Sequence, residues 1–518
     1  MRALSFGTGA TGVAVALLLS ACSHAPVGPD YQVPAQALAA QPGASAPFAE
    51  AAPSLYSAEA LPAAWWRLYD DPRLDGLVQQ ALAHNTDLRQ AVANLARERA
   101  LEAEVAGDRR PSVSVSGGPA WGHQSGLSLL EPGVTPKAQW LTDAGLQVGV
   151  PLDWFGQLQR AAEAAQASRE AAEAATDLAR VQVAAGTTRA YAEACALGLQ
   201  LRSAQTSVRL QDEAVGLTQR LHDAGRAGVT DVERAQGLLE RLRAALPPLQ
   251  ARRQSALYRL ATLTGALPQA LPAGVGDCDT PPQVRGVIPV GDGAALLRRR
   301  PDVRQAERQL ASATARIGVA TADLYPHIRL GLSVHSASPA TDFLGSDSVG
   351  WSLGPLISWT LPNTGAAQAR IAQAEASTQA ALARFDGTVL TALRETETAL
   401  NAYARELDRH AALVAARQHE ATVAEQARRL YQRGRTGYLP ALDAQRSLAS
   451  AEADLAASDA ALADDQAQLF LVLGGGWQPE ASAAAPQPTQ QLAGSGALST
   501  SQAFKASATY IKAGPPPM

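Results

Sequence analysis

The chain is 518 residues long, enough for two or more globular domains, yet only 5% of it is aromatic while alanine is abundant. That balance suits long, closely packed helices better than a broad three-dimensional core. A net charge of -4 leaves no basic footprint, which excludes a nucleic-acid partner.

At the N-terminus Arg2 precedes a short apolar run, Val13-Ala14-Val15-Ala16-Leu17-Leu18-Leu19, which is too short for a membrane span and reads as a secretion signal over residues 1–21. It ends in Leu19-Ser20-Ala21-Cys22, which resembles the lipobox of bacterial lipoproteins. That resemblance implies a lipid on Cys22, the only covalent group expected here; no cofactor and no metal is. Ser23 follows, so the Asp that commonly retains such proteins in the inner membrane is absent. A lipid anchors without spanning, so a membrane-crossing structure must come from elsewhere in the chain. Residues 22–60, rich in Pro and Ala, read as a lipidated tether.

Next comes Asn85-Thr86-Asp87-Leu88-Arg89-Gln90-Ala91, the start of a helical segment that recurs as Arg300-Pro301-Asp302-Val303-Arg304-Gln305-Ala306. Pro111 likewise falls on Pro326, so the offset over this part is 215 residues. Further on the offset is 209: Gly156 falls on Gly365, Gly225-Arg226-Ala227-Gly228 on Gly434-Arg435-Thr436-Gly437, and Gly265 on Gly474. One length change inside one loop accounts for the difference, and the chain reads as two copies of one unit.

Each copy carries two strand candidates. Residues 111–117 and 327–335 alternate strictly, and residues 140–150 place Trp140, Ala144, Leu146 and Val148 on one side and Asp143, Gln147 and Gly149 on the other. Residues 349–359 are similar, weakened by Pro355. Their lengths suit tilted membrane strands of about 9–11 residues, and Trp121, Trp140, Trp351 and Trp359 fall at strand ends, where interfacial girdles form.

Between Gly156 and Gly225, and again between Gly365 and Gly434, the chain runs 69 residues without a proline. At about 1.5 Å per residue each run forms a helical leg of roughly 100 Å. Val389, Leu393, Thr396, Leu400, Tyr403, Leu407, His410 and Val414 alternate steps of four and three, a coiled-coil seam in which His410 is a packed or rim residue. The first return leg contains Pro247-Pro248, without an equivalent in the second copy, and should break or kink there. Cys195, within a helical pattern, and Cys278, in the linker, could pair in an oxidising compartment, but they read as two unpaired small apolar residues.

The layout is thus a signal over 1–21, a tether over 22–60, a first repeat over 61–275, a linker over 276–293, a second repeat over 294–477 and a disordered tail over 478–518. Four strands cannot close a barrel, and an open edge is not tolerated in lipid, so several chains must share one.

Taken together, Gly28-Pro29-Asp30-Tyr31, Trp65-Trp66 with Asp70-Asp71-Pro72-Arg73-Leu74, Asp153-Trp154-Phe155-Gly156, Arg299-Arg300-Pro301-Asp302-Val303-Arg304 and Leu473-Gly474-Gly475-Gly476-Trp477 resemble the outer membrane factor family, the TolC/OprM/NodT-like components of efflux pumps. The resemblance covers roughly residues 22–477. It implies a mostly α, α+β homotrimer with a twelve-strand β-barrel in the outer membrane, continuous with a long periplasmic α-helical barrel. It further implies a periplasmic adaptor and an inner-membrane RND-type transporter as partners, and drugs or other small toxic solutes as cargo.

Carried over residue by residue, the adaptor contacts are the two hairpin tips: Gly225, Arg226, Gly228, Thr230 and Asp231, and Gly434, Arg435 and Gly437. Leu439 and Asp443 stand where the family constricts its pore, with Pro440 where a polar or acidic residue is usual. Arg234 occupies the first-copy position equivalent to Asp443, so an Arg234–Asp443 latch is expected to hold the resting aperture closed.

An enzyme is disfavoured by scattered histidines and by the lack of a phosphate loop, metal-ligand spacing or nucleophile motif. A periplasmic adaptor or structural coiled-coil lipoprotein would not need two equivalent hairpins, each preceded by a strand pair. A type I secretion duct and a metal-ion efflux duct stay open, although the only methionines are Met1 and Met518 and no Met-rich tract favours copper or silver.

Overall fold

The computed structural model describes residues 26–123, 125, 132–271, 274–339, 343, 345–346, 348–359, 361 and 364–477. The signal over 1–21, Cys22 and the tail over 478–518 lie outside the described residues. Residues 26–60, expected as a tether, instead pack on the body. Ala37 is buried against Val303 and Phe385, and Phe48 and Tyr56 enter the main apolar cluster. The short strand β1 (Tyr56–Ser57) lies in this segment. Apolar residues spaced along a Pro/Ala-rich segment contribute to holding it down.

Two helices follow, each started by a side-chain cap. Asp71 accepts the Arg73 and Leu74 amides before α1 (Pro72–His84), and Asn85 accepts those of Asp87 and Leu88 before α2 (Thr86–Gly107). Strands β2 (Ser112–Gly122) and β3 (Gln139–Leu152) form an antiparallel pair. Helix α3 (Gln157–Asp223) runs 67 residues, about 100 Å at 1.5 Å per residue. It returns as α4 (Val229–Ala244) and α5 (Leu246–Leu263). The break at Ala245 falls just before Pro247-Pro248, where a proline in the first turn of a new helix costs nothing but in a continuous helix would clash.

Strand β4 (Ile288–Pro289) pairs in parallel with β1. Then come α6 (Gly293–Arg299), α7 (Pro301–Ala322), β5 (His327–Pro339), β6 (Val349–Ser358), α8 (Thr364–Gln432) and α9 (Tyr438–Val472). Helices α2 and α7 both span 22 residues, and α8 spans 69. Pro440 lies in the first turn of α9, where its missing N–H is not needed, so that helix starts normally.

Small residues set how closely the shafts pack. Along α3, Ala164, Ala167, Ala171 and Ala174 are buried at steps of three and four. The approach is close enough for Ser312 of α7 to donate to the Ala164 carbonyl at 3.0 Å. The main cluster gathers the segment around Trp65-Trp66, both hairpins and the linker. Trp65, fully buried, stacks on Phe470 with ring centroids 4.5 Å apart.

Contrary to the unpaired reading, Cys195 of α3 and Cys278 of the linker form a disulfide, with Cα atoms 4.7 Å apart. The linker crosses α3 one turn further on, at Gly198, where a Cβ would overlap the Cys278 carbonyl oxygen. Among the described residues no helix is long and apolar enough to cross a membrane.

Candidate functional site

Two regions combine exposure with a built pattern: the four-stranded sheet and the two hairpin tips. The sheet is an antiparallel meander in the order β2-β3-β5-β6. Directly opposed residues share a face, and their register separates two chemistries. One face has rows Val113–Val148–Leu332–Leu353 and Val115–Leu146–Val334–Trp351. The other has Ser112–Gly149–Gly331–Gly354, Ser114–Gln147–Ser333–Ser352 and Ser116–Gly145–His335–Gly350.

In a single chain the apolar face is open to solvent: Val115 is 78% exposed and Trp351 74%. Such a surface marks contact with lipid or with another chain. Trp121 and Trp140 oppose each other at the loop end with ring centroids 5.7 Å apart, and Phe155 stacks on Tyr325 at the helix end at 4.5 Å. Within the described residues β2 and β6 are the sheet's edges, and each carries a proline, Pro119 and Pro355, as edge strands tolerate.

Next to this sheet, Arg160 of α3 fixes the segment that follows the expected lipid anchor. Its buried guanidinium donates to the carbonyls of Val27 at 3.1 Å, Gly28 at 3.1 Å and Pro26 at 3.4 Å, and to the Asp30 carboxylate at 2.8 Å.

The tips are built alike. At the first, the Arg226 amide donates to the Leu221 carbonyl at 2.7 Å and the Gly225 amide to that of His222 at 2.8 Å. At the second, Arg435 donates to Leu430 and Gly434 to Tyr431, both at 2.9 Å. This pair of bonds needs a left-handed residue after the helix, and Gly225 and Gly434 supply it at φ +69° and +67°. Beyond the turns the Asp231 carboxylate accepts the Gly228 amide at 3.4 Å, starting α4. The tips also touch: a Cβ on Gly434 would come 3.0 Å from the Arg226 guanidinium.

Behind the turns a buried cluster of Ala235, Leu238, Tyr431, Tyr438, Ala441 and Leu442 joins the two hairpins. Tyr431 donates to the Thr218 hydroxyl at 3.3 Å, and burial raises the pKa of both Tyr431 and Tyr438. Gln211 donates to the Ala235 carbonyl at 2.9 Å and to the Tyr438 hydroxyl at 3.4 Å. A cavity of about 600 Å³ lies between the hairpins just above this cluster, lined by Leu210, Leu217, Leu242, Tyr431 and Gln445 among others. Sequence reasoning missed these side-chain links, whose only local signal was the pair of tyrosines flanking Gly434.

Leu439 is half-exposed in the first turn of α9. The expected Arg234–Asp443 latch is not formed within the chain. Arg234 lies 3.8 Å from Asp231, and Asp443 3.9 Å from Arg446. Each charge finds an opposite charge one turn away on its own helix, a shorter route than crossing between hairpins.

Similarity to known proteins covers nearly all of the described chain. The model of the family described as outer membrane efflux protein matches residues 77–266 and 294–475. Nodulation protein T of Rhizobium leguminosarum bv. trifolii is 30% identical over 476 residues, 90% of this chain and 97% of that one. The cation efflux system protein CusC of Escherichia coli O6:H1 is 29% identical over 468 residues, 90% of this chain and 98% of that one. Among solved structures, the outer-membrane channel OprN superposes with a TM-score of 0.81 at 36% identity, covering 88% of this chain and 100% of that chain.

Proposed function

The chain belongs to the outer membrane efflux protein family, and on that premise we propose that three copies close one twelve-stranded barrel and one helical tunnel, with their hairpin tips as a gated aperture. Its role is that of the outer-membrane channel of a tripartite efflux system, in a family of transporters rather than enzymes. The observation that carries the trimer is the sheet. Its apolar face suits lipid, its Ser/Gly face suits a water-filled lumen, and its two edges need partners that lipid cannot supply. Three chains of four strands give twelve.

A two-repeat construction is supported by the matched helices α2 and α7 and by the twin glycine turns. The tips, Gly225 to Asp231 and Gly434 to Gly437, meet the periplasmic adaptor, through which an RND-type pump delivers cargo. Leu439 and Asp443 face the aperture, and symmetry sets three Asp443 carboxylates in a ring that attracts cations. A lipid on Cys22 holds the chain at the membrane, and Arg160 seats residues 26–30 on the body. One relative is named for cation efflux, and the cargo of this chain is whatever its pump delivers to the duct.

Native mass measurement and planar-bilayer recording test the assembly together: a conducting trimer is expected, and a monomer without conductance would refute the duct. Orientation has its own probe. Lys137 is the single lysine outside the tail, whose lysines are Lys505 and Lys512, and it lies in the loop between β2 and β3. A membrane-impermeant amine reagent applied to intact cells should therefore label Lys137. Labelling confined to the tail lysines would invert the proposed orientation.

A further inference from the structure

After the first hairpin, residues 274–290 run across its shaft. Arg253 of α5 donates to the carbonyls of Gly276 and Cys278, the latter at 2.9 Å, and Arg202 of α3 donates to that of Asp279 at 3.1 Å. Further along, Gln466 of α9 accepts the Val284 amide at 3.0 Å and donates to its carbonyl at 3.2 Å. The crossing is thus pinned to both hairpins, and the disulfide closes it across 83 residues of sequence.

The two sulfurs sit in different surroundings. Cys195 has no exposed surface and belongs to the main apolar cluster, whereas Cys278 is only partly covered. Arg253 bonds the Cys278 backbone carbonyl and so seats this partly covered sulfur at the surface of the crossing, and of two thiols the accessible one is where an outside reagent reacts.

We propose that this chain is a client of a thiol-oxidising protein in the compartment it crosses, and that oxidation starts on Cys278 and is completed by Cys195. In the first step the Cys278 thiolate attacks a sulfur of the oxidant's disulfide, forming a mixed disulfide and expelling one oxidant thiolate. In the second the Cys195 thiolate attacks the Cys278 sulfur, forming the internal bond and expelling the oxidant's other thiolate. Two protons and two electrons leave the client, and the oxidant's disulfide ends as a dithiol. Burial sets the order: once the crossing is seated over α3, Cys195 is reachable only from Cys278. The proposal depends on export and not on the trimer.

Acid quenching and alkylation of the full-length chain, isolated from its own membranes, test it. Intact mass should show no alkyl group on Cys195 or Cys278 before reduction and two after it; alkylation of both without reductant overturns the proposal. Cys195→Ser should trap a reducible adduct with the oxidant on Cys278, about tenfold more than Cys278→Ser traps on Cys195. Both variants lose the same bond, so a shared folding defect cannot produce that asymmetry. Equal trapping overturns the order of attack, and full oxidation in a host lacking its dithiol oxidases overturns the client relationship.

Discussion

Tyr438 at the start of α9 and Gln211 on α3 meet at 3.4 Å, hydroxyl to amide, inside a buried cluster that joins the two hairpins of one chain. Gln211 also holds the Ala235 carbonyl of α4, so one side chain ties three helices together behind the hairpin turns.

Removing that hydroxyl should loosen the aperture while leaving the ring packed. Tyr438→Phe is expected to cost about 1 kcal/mol, the worth of one hydrogen bond, and Tyr438→Ala about 3–5 kcal/mol. Single-channel recording should show a higher open probability for both, in that order. A Tyr438→Phe channel indistinguishable from the parent would remove Tyr438 from the closing contacts.

Asp443 and Arg234 should behave independently, since each pairs on its own helix. Asp443→Ala is expected to lower cation selectivity, read as a shifted reversal potential, whereas Arg234→Ala leaves it unchanged. Both pairs are at least partly exposed, and each contributes at most about 1 kcal/mol. Equal shifts for the two variants would point instead to a latch between chains.

Asp465 of α9 carries a pH signature. Burial first, and then the neighbouring Asp464 and Glu406 carboxylates, push its pKa up to about 6, with Arg189 opposing. The folded chain therefore binds this proton more tightly than the unfolded chain. The carboxylate weakens the fold as pH rises from about 4 to 6, and its full penalty is present at neutral pH. Asp465→Asn should raise the melting temperature at pH 7.5 and make no difference at pH 4. A gain that is the same at both values would show that packing, not charge, is responsible.

Arg160 should hold the segment after the anchor. Arg160→Met removes every hydrogen bond that the guanidinium makes to residues 26–30. Amide exchange in that segment should accelerate about tenfold or more, while the core of α3 stays protected. Unchanged exchange over 26–30 would mean that apolar packing alone seats the segment.

Much of the fold was legible because it repeats at short range. A period of two separated Val113, Val115, Leu146 and Val148 from Ser114 and Gln147, and the structure places them on opposite faces of one sheet. Proline-free legs became α3 and α8, and Gly225 and Gly434 mark the turns because only a left-handed residue closes them. The break before Pro247-Pro248 is equally local.

What the sequence determined by itself was therefore periodicity and punctuation: which faces are apolar, how long the shafts run and where they turn. Only the tertiary structure decided which distant groups meet. The Cys195–Cys278 bond, against the unpaired reading, follows from the linker crossing α3 at Gly198. The tether became a packed segment because its apolar residues are buried and Arg160 gathers its carbonyls, and within the single chain Arg234 and Asp443 each pair on their own helix. Local dihedral preferences act over a few residues and leave their period in the sequence. Contacts between segments far apart in the chain depend on how the whole chain packs, and leave no such period to read.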